Sequence, residues 1–162
     1  MTTTLRRWGR LVVLALLMPL ASACGIAPEP VHLGAEECAH CSMLITERRY
    51  AAQLLNSNGK AFKFDAIECL RDFVQGGSIA AADIHSLWVT DSAGGEDWVQ
   101  VEDAVFLHSA ELRTPMGGGL AAYAASVDAE AAAAELNGHL MTWTQLLAMA
   151  PAASRDGHGH GP

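Results

Sequence analysis

The stretch Cys38-Ala39-His40-Cys41-Ser42-Met43 places two thiols, an imidazole and a thioether within six residues. Thiolate and thioether sulfur bind soft ions such as Cu(I), whereas hard ions such as Mg²⁺ and Ca²⁺ prefer oxygen ligands. The side chains of Cys38, Cys41 and Met43 therefore predict a soft-metal site. His40, which lies between the two thiols, is a further candidate ligand.

The same cysteine pair is also typical of other sites. In an oxidising compartment Cys38 and Cys41 can form a structural or catalytic disulfide. Haem attachment would need histidine in place of Ser42, and zinc would need Cys69 and a further histidine to complete four ligands. A thioredoxin-type pair lies at the start of a helix that follows a strand. Here polar residues 34–37 precede the pair, and a strand predicted at residues 43–45 follows it. A disulfide therefore stays open beside the metal site.

Residues 1–23 predict an export signal. Three arginines precede an apolar run at residues 11–20 that is too short to span a membrane. Small residues lead into Cys24 as in a bacterial lipobox, although Ala21 stands where that motif usually has leucine. We predict lipidation at Cys24, residues 24–35 as the lipidated tether, and a periplasm-facing anchor in the outer membrane. Ordinary cleavage before Cys24 would instead give a soluble periplasmic protein.

Composition and motifs exclude several functions. The 162-residue chain has a formal net charge of -8, which disfavours nucleic acid as a partner. It has no Gly-x-Ser-x-Gly, no His-Glu-x-x-His and no phosphate-binding loop. We therefore predict neither catalysis nor a small-molecule substrate.

Residues 36–92 predict a β-hairpin, a helix and a strand, in that order. Predicted strands at residues 50–55 and 61–64 flank a strong turn signal at residues 56–59, which favours the hairpin. Asp65 and Glu68 are spaced as in a capping box, so Asp65 is predicted to cap the following helix. Cys69 lies in that helix, and core packing is the role that we predict for it.

Residues 93–150 predict the same order of elements with little sequence identity. The strand candidates are residues 98–101, 105–108, 120–125 and 139–143, with a helix from Ser126 or Asp128 before the last. The predicted fold is α+β, with two small ββαβ-type subdomains sharing a compact core, preceded by the signal peptide and tether. The His- and Gly-rich residues 151–162 predict a disordered tail.

Met116 is a second candidate for sulfur chemistry, in the glycine-rich turn at residues 114–119. Between a proline and three glycines it has no neighbours in a regular element to pack against, so its flexible thioether is available to a ligand. We therefore predict Met116 as a metal ligand supplied by the second half.

The order of these motifs resembles the NosL family. The resemblance is carried by Cys38-x-x-Cys41-x-Met43, Gly59-Lys60, Phe64-Asp65, Cys69, Trp98, Thr114-Pro115-Met116-Gly117 and Tyr123. Ser42 stands where the family usually has glycine. The resemblance implies two similar ββαβ halves and an exported copper-binding lipoprotein.

In function, the resemblance implies a metallochaperone that delivers Cu(I) for assembly of the nitrous oxide reductase copper centres in denitrification. The partner would be the copper-receiving reductase or its assembly machinery. Cys38, Cys41, Met43 and Met116 are the ligands that we predict. The alternative function is a periplasmic thiol-disulfide oxidoreductase that uses Cys38 and Cys41, for which Met116 would be irrelevant.

Overall fold

The computed structural model describes residues 25–94 and 97–150. The predicted signal peptide, the lipidation site Cys24 and the tail at residues 151–162 lie outside the described residues. In the described part of the chain, no helix is both long and apolar enough to cross a membrane. The regular elements are β1 (Ala52–Asn56), β2 (Ala61–Phe64), α1 (Ile67–Gln75), β3 (Ile84–Thr90), β4 (Trp98–Gln100), β5 (Val105–His108), β6 (Leu120–Tyr123), α2 (Ser126–Glu135), β7 (His139–Met141) and α3 (Trp143–Ala148).

The first sheet contains four antiparallel strands in the order β2-β1-β3-β4. Its hairpin pairs Leu54 with Phe62, and the side-chain oxygen of Asn56 accepts hydrogen bonds from the backbone N–H groups of Asn58 and Lys60. Gly59 completes the turn with a φ of 79°, a conformation that glycine adopts without steric cost. The predicted hairpin is therefore confirmed.

The second sheet contains three antiparallel strands in the order β6-β5-β7. In the first sheet, β1 lies between its hairpin partner β2 and the strand after the helix, β3. In the second sheet, β5 lies in the same way between β6 and β7. This shared topology confirms the predicted α+β fold with two ββαβ units. Strand β4 follows residue 92 in the chain and nevertheless extends the first sheet, because it pairs with β3.

Both units contribute to one hydrophobic core. Leu54 and Leu70 from the first unit pack in the same buried cluster as Phe106, Leu120 and Leu146 from the second. Each of these five side chains is at most 1% exposed. The two ββαβ units therefore share one core, as predicted.

Two local predictions near the cysteines are wrong. Helix α1 begins at Ile67 with Ala66 as its N-cap, and no side chain caps it. Asp65 is 1% exposed and lies beside Cys41, and the buried Glu68 accepts a hydrogen bond from Thr114. These carboxylates have partners from distant parts of the chain, which outweigh the local capping pattern.

The segment after the cysteine pair is not a strand. Residue Leu44 forms a single antiparallel bridge with Glu37, and the chain then runs to a short 3-10 helix at Arg48–Tyr50. The prediction of a strand at residues 43–45 is therefore wrong, because this segment folds back on its own loop.

Candidate metal centre

A tight turn holds the two cysteines of the pair together. The N–H of Ser42 donates to the carbonyl of Cys38 at 3.0 Å, and the N–H of Cys38 donates to the carbonyl of Met43 at 2.8 Å. The N–H of Ala39 donates to the carbonyl of Lys63 at 2.8 Å, which fastens the loop to strand β2. The thiols therefore lie beside the segment that leads from β2 into α1.

Four potential ligand atoms converge at this junction. The sulfurs of Cys38, Cys41 and Cys69 and a carboxylate oxygen of Asp65 all lie within 4.8 Å of one another. Cys38 and Cys69 are buried, whereas Cys41 is half-buried, and all three are free thiols. The thiol of Cys41 donates to Oδ1 of Asp65 at 3.5 Å. The cluster is therefore deep at Cys69 and reaches the surface at Cys41.

The thiols of the cluster differ in how readily they lose a proton. The hydrogen bond from the Cys69 thiol is the main reason that the pKa of Cys38 is lowered, to about 6. Burial of Cys38 raises its pKa and so opposes this effect. Backbone hydrogen bonds from Cys41, Asp65 and His40 lower the pKa further. Burial raises the pKa of Cys41 to about 11. The hydrogen bond to Cys38, together with burial, raises the pKa of Cys69 well above its usual range. At neutral pH Cys38 is therefore the thiolate that the other two thiols surround.

The donor set fits a soft metal ion. Oδ2 of Asp65 is buried without a hydrogen-bond partner, and a buried carboxylate oxygen without a partner is unfavourable unless a cation or donor compensates it. Three sulfurs beside one oxygen match the ligands that Cu(I) and zinc select. Positive charge in the cluster would stabilise both the thiolates and this carboxylate.

The cluster contains two residues that the sequence analysis did not predict as ligands. Cys69 is buried, as predicted for core packing, but its sulfur also belongs to the cluster. Asp65 was predicted as a helix cap. The available signal was their place in the sequence: Asp65 directly follows the second hairpin strand, and Cys69 lies in the first turn of the next helix, so both are near the strand that binds the cysteine loop.

The two predicted thioethers lie at the surface. Met43 is 51% exposed and Met116 is 36% exposed. The Met116 loop is fastened to helix α1, because the hydroxyl of Thr114 donates to Oε1 of Glu68 at 3.1 Å, one residue before Cys69. Gly118 of that loop packs so closely against Glu68 that a Cβ would overlap its carboxylate. Metal binding by Met43 and Met116 stays a prediction, as it does for Cys38 and Cys41.

The NosL family model matches residues 30–150. No curated protein matches the chain by sequence. Among solved structures, the fold is similar to the crystal structure of the copper chaperone NosL from Shewanella denitrificans, with a TM-score of 0.67 and 19% sequence identity. That similarity covers 75% of this chain and 96% of the other, and it establishes a common fold. Because the family model spans well over half of the sequence, the chain belongs to the NosL family.

Proposed function

We propose that this protein is an exported, non-enzymatic Cu(I) carrier that delivers copper for assembly of the nitrous oxide reductase copper centres. The convergence of three free thiols and one buried carboxylate carries the proposal. Membership of the NosL family supports it, and the similar structure from Shewanella denitrificans is described as a copper chaperone.

Cys38 and Cys41 are the proposed thiolate ligands of Cu(I), and Met43 and Met116 the proposed thioethers. Cys38 already favours the thiolate at neutral pH, whereas Cys41 must release its proton when the ion binds. Without the ion, the Cys41 thiol donates to Oδ1 of Asp65, so binding replaces this hydrogen bond with a bond to the metal.

Release of copper requires that an acceptor reach the ion. Cys41 is half-buried, so an incoming ligand can reach the ion beside Cys41 while the buried Cys38 still holds it. Copper then passes by ligand exchange without becoming free. Lipidation at Cys24 would keep the carrier at the membrane, facing the reductase or its assembly machinery in the periplasm.

The alternative function, thiol-disulfide exchange by Cys38 and Cys41, needs an accessible thiolate. The lowered pKa belongs to Cys38, which is only 2% exposed, whereas the more accessible Cys41 has a raised pKa. This division favours metal carriage. An insulin-reduction assay separates the two functions, since a carrier is inactive in it.

Anaerobic titration with Cu(I) against a chromophoric chelator tests the carrier function. The reduced chain should take up one tight equivalent, and Cys41→Ser should weaken binding by at least tenfold because a thiolate is lost. Ser42→Ala, which changes the adjacent hydroxyl, is the matched control and should bind as the parent does. Unchanged binding by Cys41→Ser would overturn the proposed site.

Delivery is tested separately, by mixing the Cu(I)-loaded chain with copper-free nitrous oxide reductase. The carrier should metallate the reductase faster than a small-molecule Cu(I) complex that buffers the same free copper concentration. Equal rates would contradict delivery by this protein while leaving copper binding intact.

A further inference from the structure

Two histidines face each other across the second sheet, outside the sulfur cluster. His108 on β5 and His139 on β7 are directly opposed register partners in an antiparallel pair. Directly opposed residues project from the same face, with Cβ atoms about 4.5–5.5 Å apart. Their imidazole centroids are 6.5 Å apart, in an edge-to-face arrangement. The backbone register therefore brings two imidazole rings to one place.

The ring separation is slightly wider than a shared metal ion requires. A late transition-metal ion lies about 2.0–2.1 Å from an imidazole nitrogen, so two rings bound to one ion at angles of roughly 90–120° have centroids about 4.5–5.5 Å apart. The observed centroid distance is 6.5 Å. Because His139 is exposed, a rotation of its side chain closes this gap.

The pair is held rigidly on one side and open on the other. His108 is half-buried on the central strand β5, between β6 and β7. His139 is exposed on β7, which pairs with β5 alone among the described strands. Gly138 lets β7 approach closely, because a Cβ there would overlap the Leu107 side chain and crowd the carbonyl of His108. An ion would thus reach the pair directly from solvent, with His108 held in place and His139 free to adjust.

We propose that His108 and His139 form a second metal site, for a divalent late transition-metal ion. Neutral imidazole suits zinc, nickel and copper, and affinities in this series peak at Cu(II). Water would complete the coordination on the open side. The chain would then hold Cu(I) at sulfur and Cu(II) at imidazole, two sites that differ in ligand chemistry and share no residue.

Nickel is the probe for this site, because thiols reduce Cu(II) but leave Ni²⁺ unchanged. The whole exported chain carries His158→Ala and His160→Ala, which remove the histidines of the tail. Binding is followed by calorimetry and by ¹⁵N NMR of the imidazoles. One equivalent of Ni²⁺ should broaden the His108 and His139 signals first, and His139→Ala should weaken that equivalent by at least tenfold.

His85→Ala is the matched control, since His85 is an exposed histidine on a strand of the other sheet. It should bind Ni²⁺ as the parent does. Any Ni²⁺ that the cysteines bind is the same in the parent, His139→Ala and His85→Ala, so it does not affect the comparison. Unchanged affinity in His139→Ala, or equal broadening of the His85 signal, would reduce the pair to edge-to-face packing and overturn the proposal. Neither result bears on Cu(I) binding at the cysteines.

Discussion

Ser42 has an unusual backbone conformation at the centre of the cysteine turn. Its φ is 63°, in the left-handed region, and it lies between Cys41 and Met43. A side chain in this region is disfavoured by contact between its Cβ and the backbone, which glycine avoids. The turn is kept because hydrogen bonds from Ser42 to Cys38 and from Cys38 to Met43 close it on both sides.

Ser42→Gly should therefore raise the free energy of unfolding by roughly 0.5–1 kcal/mol. Glycine removes the strain of the left-handed conformation, and the greater flexibility of glycine in the unfolded chain offsets part of that gain. Urea unfolding followed by circular dichroism measures the change. Ser78→Gly is the control, because this exposed serine lacks a positive φ and its replacement should not stabilise. A lower midpoint for Ser42→Gly would mean that the serine is not strained.

The ligand types could be predicted from the sequence, but the full cluster could not. The pattern of Cys38, Cys41 and Met43 already indicated soft-metal chemistry. Asp65 and Cys69 each had a sufficient local explanation, as a helix cap and as a core residue. Their convergence depends on the β2–α1 junction reaching the cysteine loop, and no local pattern reports that contact.

At the scale of elements, the hairpins follow from alternating strands and turn residues, whereas among the described α-helices only α3 has a side-chain cap, at Thr142. Strand β2 and the turn before it lie where predicted, because the Asn56 and Gly59 turn chemistry is local. The start of α1 was mispredicted because Glu68 pairs with Thr114, 46 residues away along the chain. That one contact joins the Met116 loop to the helix that carries Cys69.

Thr114→Val should release the Met116 loop from α1 while leaving the fold intact. If Met116 binds copper, the variant should lose Cu(I) affinity by about tenfold, which corresponds to ~1.4 kcal/mol. Chelator competition measures the affinity, and circular dichroism checks the fold. Thr144→Val, on the exposed face of α3, is the control. Parent-like affinity in Thr114→Val would show that the anchor does not position a ligand.

At the scale of the whole molecule, the two ββαβ units are joined by one core. Cys38 and Cys69 pack in the same buried cluster as Phe106 of β5, and Phe106 stacks against Trp143 at a centroid distance of 5.9 Å. The repeated order of elements was predictable from pattern. The pairing of β4 with the first sheet was not, because a three-residue strand carries too little periodicity to specify its partner.

Phe106→Ala should destabilise the entire protein by about 3–5 kcal/mol, since this side chain is fully buried where both units meet. Amide hydrogen exchange should accelerate in β1 of the first sheet as well as in β5. Val127→Ala, at a position 68% exposed, is the control and should change stability by less than ~0.5 kcal/mol. Acceleration confined to the second sheet would contradict a shared core.

The central claim is that sulfur from both units holds Cu(I), and selenium K-edge X-ray absorption tests it most directly. In the exported chain labelled with selenomethionine, only positions 43, 116, 141 and 149 carry selenium. We predict a copper neighbour of selenium in the Cu(I)-loaded protein, weakened by Met116→Ala and abolished when Met43→Ala is added. A loaded protein without any copper neighbour of selenium, or a copper signal that Met116→Ala leaves unchanged, would contradict the account.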